Sequence, residues 1–403
     1  MDERTRIVKR VQARFRIANV VEPSIETLPL IQLEDIESGR ARIVGEGNWG
    51  APDGQNRFRP GDVLFSKLRP YLAKCLLVTT DAHGTGELLC LRPGPQLDAR
   101  YLLYLTLSRP WIDHAVLTSY GTKMPRTSWE KVAEFGIPDI EVDEQRRIAD
   151  FLDDRVARVD QIITARRAQE VSLGLLHETR KEAVFDGSTN APTVQLRRLR
   201  CLVQTGPFGS QLHSDEYVDG GWPVVNPAGI VDGRLREIAG MSVDDRVRER
   251  LSRHILLKND VVFGRRGELG RAGLVTESEV GWVCGTGSLL VRLADIRLRP
   301  PFLMQMLSTS RVRHFFQRHS VGSTMDNLNT DILLSVPLLL PTVADQDAIL
   351  DALDQLDRDL SSSVRALEDS VSLMLEYKQS LITAAVTGEL DVTTAGSGIP
   401  NPH

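Results

Sequence analysis

The chain is poor in the residues that usually build a chemical centre. Its four cysteines, Cys75, Cys90, Cys201 and Cys284, are scattered, with no CxxC pair and no histidine at metal-ligand spacing. That argues against a zinc site and for a reducing compartment, the cytoplasm. No apolar run approaches the roughly 18 residues of a membrane helix. The opening Met1-Asp2-Glu3-Arg4 puts charge before any apolar stretch, so neither a membrane span nor a signal peptide is expected. Cofactor signatures are missing as well. Gly264 to Gly273 contains glycines but neither GxGxxG spacing nor a P-loop lysine. Asn226-Pro-Ala lacks the second proline and the aromatic of an adenine-methyltransferase motif. No GxSxG, His/Cys pair or nuclease carboxylate–lysine cluster stands out. The expectation is a chain with no catalytic residue, no metal and no cofactor of its own.

What the sequence does contain is a repeat. From Asp345 to Val386, apolar residues recur at steps of three and four: Ile349, Leu353, Leu356, Leu360, Val364, Leu367, Val371, Met374, Leu381 and Ala385, with Lys378 in the one gap. This narrow stripe predicts a helix of about 60 Å that packs along another helix. The partner is in the same chain, between Glu144 and Val184, with Ile148, Leu152, Val156, Val159, Ile163, Leu173, Leu176 and Val184. At a constant offset Gln145 falls on Gln346, Ile148 on Ile349, Leu152 on Leu353 and Gly187 on Gly388. The offset extends upstream, placing Leu88-Leu89 on Leu289-Leu290 and Met124 on Met325; with a small shift Asp62-Val-Leu-Phe matches Asp260-Val-Val-Phe. The chain is an internal duplication: globular half, long helix, globular half, long helix.

The net charge of -5 hides a segregation. Residues 1–137 carry +3 and residues 194–337 carry +4, whereas residues 138–193 carry -4 and residues 338–403 carry -8. A polyanion would bind the globular halves and be repelled by the helices. Locally, residues 1–20 read as a short basic helix, Leu28 to Leu33 as a strand, and Gly45 to Gly54 as a turn-rich loop. Gly61-Asp-Val-Leu-Phe and Leu88-Leu-Cys-Leu read as buried strands, and Tyr101–Leu107 and Phe302–Leu307 as matching short helices.

Several stretches carry a family resemblance. They are Gly61-Asp-Val-Leu-Phe-Ser-Lys-Leu-Arg-Pro-Tyr-Leu, Ser119-Tyr-Gly-Thr-Lys-Met-Pro-Arg, and Ile137-Pro through Asp143-Glu-Gln with Phe151-Leu-Asp. In the second half they are Gly206-Pro-Phe-Gly-Ser, Asn259-Asp-Val-Val-Phe and Ala384-Ala-Val-Thr-Gly-Glu-Leu. Two copies of such a series, each feeding a long helix, resemble the specificity subunit of type I restriction–modification systems. The resemblance implies an α/β (α+β) fold with two tandem target-recognition domains joined by two long antiparallel coiled-coil helices. The divisions are then residues 1–137 and 194–337 for the recognition domains, 138–186 and 338–392 for the helical spacers, 187–193 for a linker and 393–403 for a disordered tail. It also implies a non-catalytic DNA-binding subunit. Its partners are double-stranded DNA, two modification subunits that carry S-adenosylmethionine, and motor–nuclease restriction subunits. Two unlike readers on one spacer would read a bipartite, asymmetric target with half-sites about one DNA turn, ~34–36 Å, apart. The rival reading is a duplicated coiled-coil scaffold with no nucleic-acid role; the charge segregation speaks against it.

Base readout calls for Arg or Lys toward guanine and Asn or Gln toward adenine. The candidates in the first half are Asn48, Trp49, Gln55, Arg57, Arg59, Lys67, Arg69, Lys74, Tyr120, Lys123 and Arg126. In the second they are Ser210, Gln211, Asn226, Arg265, Arg266, Arg271, Thr324, Asn327 and Asn329, with Lys67 opposite Arg265 as the best-matched pair. Leu375, Tyr377 and Ile382 fall off the heptad line of the last helix and are expected to be exposed there and to dock the modification subunits.

Overall fold

The computed structural model describes residues 18–23, 27–44, 48–50, 55–187, 191–265, 270–320 and 328–392. It divides into two compact units, residues 1–170 with 365–403, and residues 171–364. Each unit joins one globular half to part of each long helix.

In the first unit the strands are β1 (Ala18–Asn19), β2 (Leu28–Ile31), β3 (Asn48–Gly50), β4 (Asn56–Phe58), β5 (Val63–Ser66), β6 (Cys75–Leu77), β7 (Ala82–Gly84) and β8 (Leu88–Arg92). They form two four-stranded sheets, ordered β1-β8-β5-β6 and β3-β2-β7-β4. Helices α1 (Ala99–Leu107), α2 (Arg109–Leu117) and α3 (Trp129–Val132) follow, and α4 (Val142–Asp186) leads into the second unit. β5 reads Val-Leu-Phe-Ser and is buried on both faces, so it sits at the centre of its sheet between β8 and β6. Its Val63 and Phe65 pack on α1 and α2, while Leu64 points into the core beneath the second sheet.

The second unit repeats the plan. Its strands are β9 (Thr193–Gln195), β10 (Cys201–Thr205), β11 (Trp222–Val225), β12 (Ile230–Val231), β13 (Arg234–Leu235), β14 (Ser242–Val243), β15 (Val261–Gly264), β16 (Ala272–Leu274), β17 (Val283–Cys284), β18 (Ser288–Leu293) and β19 (Pro337–Leu339). The order β10-β18-β15-β16 reproduces β1-β8-β5-β6, and the parallel pair β11–β17 with antiparallel β14 reproduces β2–β7 with β3. Helices α5 (Asp245–Arg250), α6 (Pro300–Leu307), α7 (Ser310–Ser320) and α8 (Thr330–Ser335) precede the last helix, α9 (Val343–Thr387). Gly388 then takes φ +77, a left-handed conformation that ends the helix cheaply only for glycine.

One buried glutamine near the start of each long helix ties it to its own half of the globular fold in the same way. Gln145 is fully buried; its Nε2 donates to the carbonyls of Gln96 and Ile140, and its Oε1 accepts from the Asp98 amide at 2.9 Å. Gln346, equally buried, donates to the carbonyls of Arg297 and Pro341 and accepts from the Arg299 amide at 2.8 Å. All three partners sit at the same offset as the glutamines. The two helices are antiparallel. Lys378 near the end of α9 reaches Asp160 in α4, whereas His177 late in α4 bonds Asp357 early in α9 at 2.8 Å. Lys378, the polar gap in the apolar stripe, is only 3% exposed; its ammonium lies 3.0 Å from both Asp160 oxygens. His177 occupies the equivalent position in the repeat.

Three sequence expectations are corrected. Ala18–Asn19, placed in an N-terminal helix, pairs with β8 as strand because the backbone of Asn19 and Leu91 can complete that sheet's edge; residues 1–17 lie outside the described residues. Asn48–Gly50, placed in a loop, pairs with β2 as β3. The repeat slips by one position across the central sheet. Phe65 faces Leu89 as Phe263 faces Leu289, so Leu89 is equivalent to Leu289, not to Leu290. The tail 393–403 lies outside the described residues.

Candidate nucleic-acid interface

The first unit gathers five of its candidate residues at one edge. Beyond β5 the chain continues as Lys67-Leu-Arg-Pro-Tyr, and the Ser119–Arg126 stretch folds back on it as a small hairpin. The Tyr120 and Arg126 amides donate to each other's carbonyls. The Arg69 amide donates to the Pro125 carbonyl at 2.8 Å, and the Thr127 amide to the Lys67 carbonyl at 2.9 Å. This pairing brings together Lys67, Arg69, Tyr120, Lys123 and Arg126. Arg69 and Ala73 both adopt left-handed backbone, φ 48 and φ 46, on either side of the short Pro70–Leu72 turn. Holding non-glycine residues there costs energy and requires support from the surrounding contacts. The turn leaves Tyr71 half exposed; Tyr120 and Met124 are exposed as well. Tyr71 and Met124 were not among the sequence candidates. Their exposure depends on the turn and the hairpin, which residue type does not announce.

The electrostatics of this edge are mixed. Arg126 Nη1 pairs with a Glu87 carboxylate oxygen at 2.8 Å, and Lys67 Nζ donates to the Gly86 carbonyl. Burial lowers the Lys67 pKa, and the Arg126 charge lowers it further, against Glu87 and Glu130. Arg69 and Lys123 are exposed.

The remaining first-half candidates lie elsewhere. Arg57 and Arg59 flank the end of β4, where Arg57 Nη2 meets Asp81 at 3.3 Å and Arg59 Nη2 meets Glu22 at 2.9 Å. Lys74 reaches back to the Leu33 carbonyl. Gln55 is half-buried. Asn48 and Trp49 belong to β3, and their side chains lie outside the described residues.

In the second unit the edge equivalent to Lys67 is confirmed by backbone. The Arg265 amide donates to the Gly287 carbonyl as Lys67 does to Glu87, and the Leu328 amide donates to the Arg265 carbonyl as Thr127 does to Lys67. Arg265 Nε also donates to the Leu328 carbonyl at 2.9 Å. Asn226 and Arg271 converge on one turn, where Arg271 Nη1 approaches the Pro227 carbonyl at 3.4 Å. Gly206 and Gly285 meet beneath it: a Cβ on Gly206 would lie 1.8 Å from the Gly285 carbonyl oxygen, which explains the glycine opening Gly206-Pro-Phe-Gly. Gln211 accepts from Arg250 through its carbonyl, away from that turn. Asn329 caps α8, its Oδ1 accepting from the Ile332 amide at 2.8 Å, a structural task. Arg266, Thr324 and Asn327, and the side chain of Ser210, lie outside the described residues.

On α9, Leu375 and Tyr377 are 41% and 49% exposed, as expected. Ile382 is 2% exposed: it packs in the first unit's core with Ile148, Leu152 and Ala385, so it presents nothing to a partner. The helix stripe widens there because the globular half covers a second face of α9. Tyr101 donates its hydroxyl to the Val386 carbonyl at 2.8 Å from that side.

Among the described residues no cluster of His, Cys, Asp or Glu is placed to hold a metal, and no helix is long and apolar enough to cross a membrane. The chain thus builds one mixed α/β plan twice, with each globular half joined to parts of two antiparallel helices. Residues 206–368 match the type I restriction modification DNA specificity domain. A 125-residue stretch, 31% of the chain, is 25% identical to the specificity subunit of the type I restriction enzyme EcoDI from Escherichia coli; it spans 27% of that relative's length. A chain from a structure describing complex assembly and conformational transition of the type I R-M system superposes with a TM-score of 0.68 at 19% identity, covering 93% of this chain and 98% of that one. The HsdS subunit from Thermoanaerobacter tengcongensis does so at 0.53 and 20% identity, covering 93% and 97%. Residues 206–368 therefore belong to the type I DNA specificity domain family, and the chain over its length has the fold of type I specificity subunits. The resemblance drawn from the sequence holds.

Proposed function

We propose that the chain is the non-catalytic DNA specificity subunit of a type I restriction–modification complex, binding no cofactor of its own. Each globular half reads one half-site of a bipartite, asymmetric target, and the helices carry the modification and restriction subunits. The observation that carries this reading is one fold built twice with different side chains at equivalent edge positions. Gln145 and Gln346 anchor the two halves identically, yet Lys67 stands where Arg265 stands and Glu87 where Gly287 stands. Equal scaffolds with unequal edges are what an asymmetric target needs, because cation and amide side chains select different base edges.

The test is methylation mapping of DNA from cells expressing the chain with its modification subunits. A split, asymmetric adenine-methylated motif that disappears on deletion of the chain is expected. Exchanging residues 194–337 for those of a relative should change one half of the motif only. A stable complex with no motif would overturn the assignment.

A further inference from the structure

The edge of the first unit holds a carboxylate that its counterpart cannot. The backbone pairs equate Glu87 with Gly287. At Gly287 a Cβ would lie 2.8 Å from Pro227 Cδ, so a side chain there would force that proline to shift. In the first unit the Glu87 carboxylate forms an ion pair with Arg126 Nη1 at 2.8 Å, and each side chain remains about one-third exposed. Arg126 also lies between two backbone bonds of the hairpin, to Tyr120 in both directions, so its position is held by main chain as well as by charge.

An unguarded arginine binds any phosphate, since a charged acceptor makes the stronger hydrogen bond. A carboxylate beside it repels a phosphate. It repels the uncharged guanine edge, whose O6 and N7 match the arginine fork, far less. We propose that Glu87 is a positioning residue for base selection in the first half-site: it aims Arg126 and biases it toward guanine and against the DNA backbone. This is specificity by an added repulsive element. It rests on the DNA-reading assignment above and extends it to a named residue and a named base.

The experiment is selection from a duplex library with a randomised centre. The probe is retained by the full chain in complex with its modification subunits, and each position of the recovered motif is scored for base preference. With Glu87→Gln, preference for one G·C pair in one half-site should fall about tenfold, the lower range for a bidentate arginine–guanine contact. The other half-site should be unchanged. Retention of random duplex should rise, and the slope of log affinity against log salt should steepen by about one. Glu87→Asp, which keeps the charge, should keep the preference. Arg126→Met, which removes the cation and the fork together, should lose the same guanine and no other. The inference is overturned if Glu87→Gln recovers the native motif with the native salt slope, if both half-sites weaken alike, or if Arg126→Met retains the guanine. A native complex that recovers no motif overturns the DNA reading, and this inference with it. A native motif with an indistinguishable Glu87→Gln variant overturns this inference alone.

Discussion

Replacing Lys378 with methionine should destabilise the first unit more than any exposed substitution on the helices. The Lys378 ammonium is shared by both Asp160 oxygens at 3.0 Å, and the half of the fold above contributes Arg40, whose Nε is 3.8 Å from the same carboxylate and 3.3 Å from Glu37. The Lys378 and Arg40 side chains are each 4% exposed and that of Asp160 is 21% exposed. Burial depresses the Lys378 pKa, with Asp160 opposing it, so the ion pair sits where water has little access. Methionine fills the space but leaves Asp160 with one distant cation. Breaking a buried pair from one side costs about 3–5 kcal/mol, and the part-exposed carboxylate favours the low end, about 3 kcal/mol. For a unit of this size that is a fall of about 6–12 °C in the melting midpoint. Calorimetry on the full chain measures the fall, and hydrogen exchange should localise the loss to the end of α9 and to residues 37–42. Replacing both partners, Lys378→Met with Asp160→Leu, removes the stranded charge and should recover most of the loss. A Lys378→Met melt equal to the native one would refute the reasoning, as would a double variant no more stable than the single.

Three further outcomes are expected. Gln145→Leu and Gln346→Leu each strand one buried amide and two carbonyls, so each should cost about 3 kcal/mol in urea unfolding, by similar amounts because the bonds are the same. For Asp62, burial pushes the carboxyl up, but the Arg92 fork, the Arg59 amide and the Cys90 thiol outweigh it and hold it below 3.8. A depressed folded value means this contribution is fully present above 3.8 and is lost as pH falls through the folded value; Asp62→Asn should flatten the acid limb of a stability–pH profile. Ile382→Asp should prevent stable folding of the first unit, whereas Leu375→Asp and Tyr377→Asp should leave the melt unchanged and reduce co-purification of the modification subunits. Co-purification at native levels would remove those two residues from any docking role.

The sequence by itself determined the two long helices and the duplication. A heptad stripe and a chain-long repeat depend on residue spacing, and spacing needs no coordinates: the helix from Asp345 to Val386 was placed within two residues of its observed ends. Lys378 was legible as an irregularity, but its partner was not, because Asp160 is distant in sequence and is brought to it only by antiparallel packing. The candidate interface was legible in part for the same reason. Lys67, Arg69, Tyr120, Lys123 and Arg126 could be named from residue type. That they share one edge follows from the hairpin's backbone pairing with Lys67 and Arg69. That Arg57, Arg59 and Lys74 do not share it follows from their bonds to Asp81, Glu22 and the Leu33 carbonyl. Ile382 lies off the heptad line yet is buried, because a heptad describes one packing face and the globular half covers another. Periodicity reports what a helix does along its own axis; which further surface is covered is decided by tertiary contacts between residues far apart in the chain.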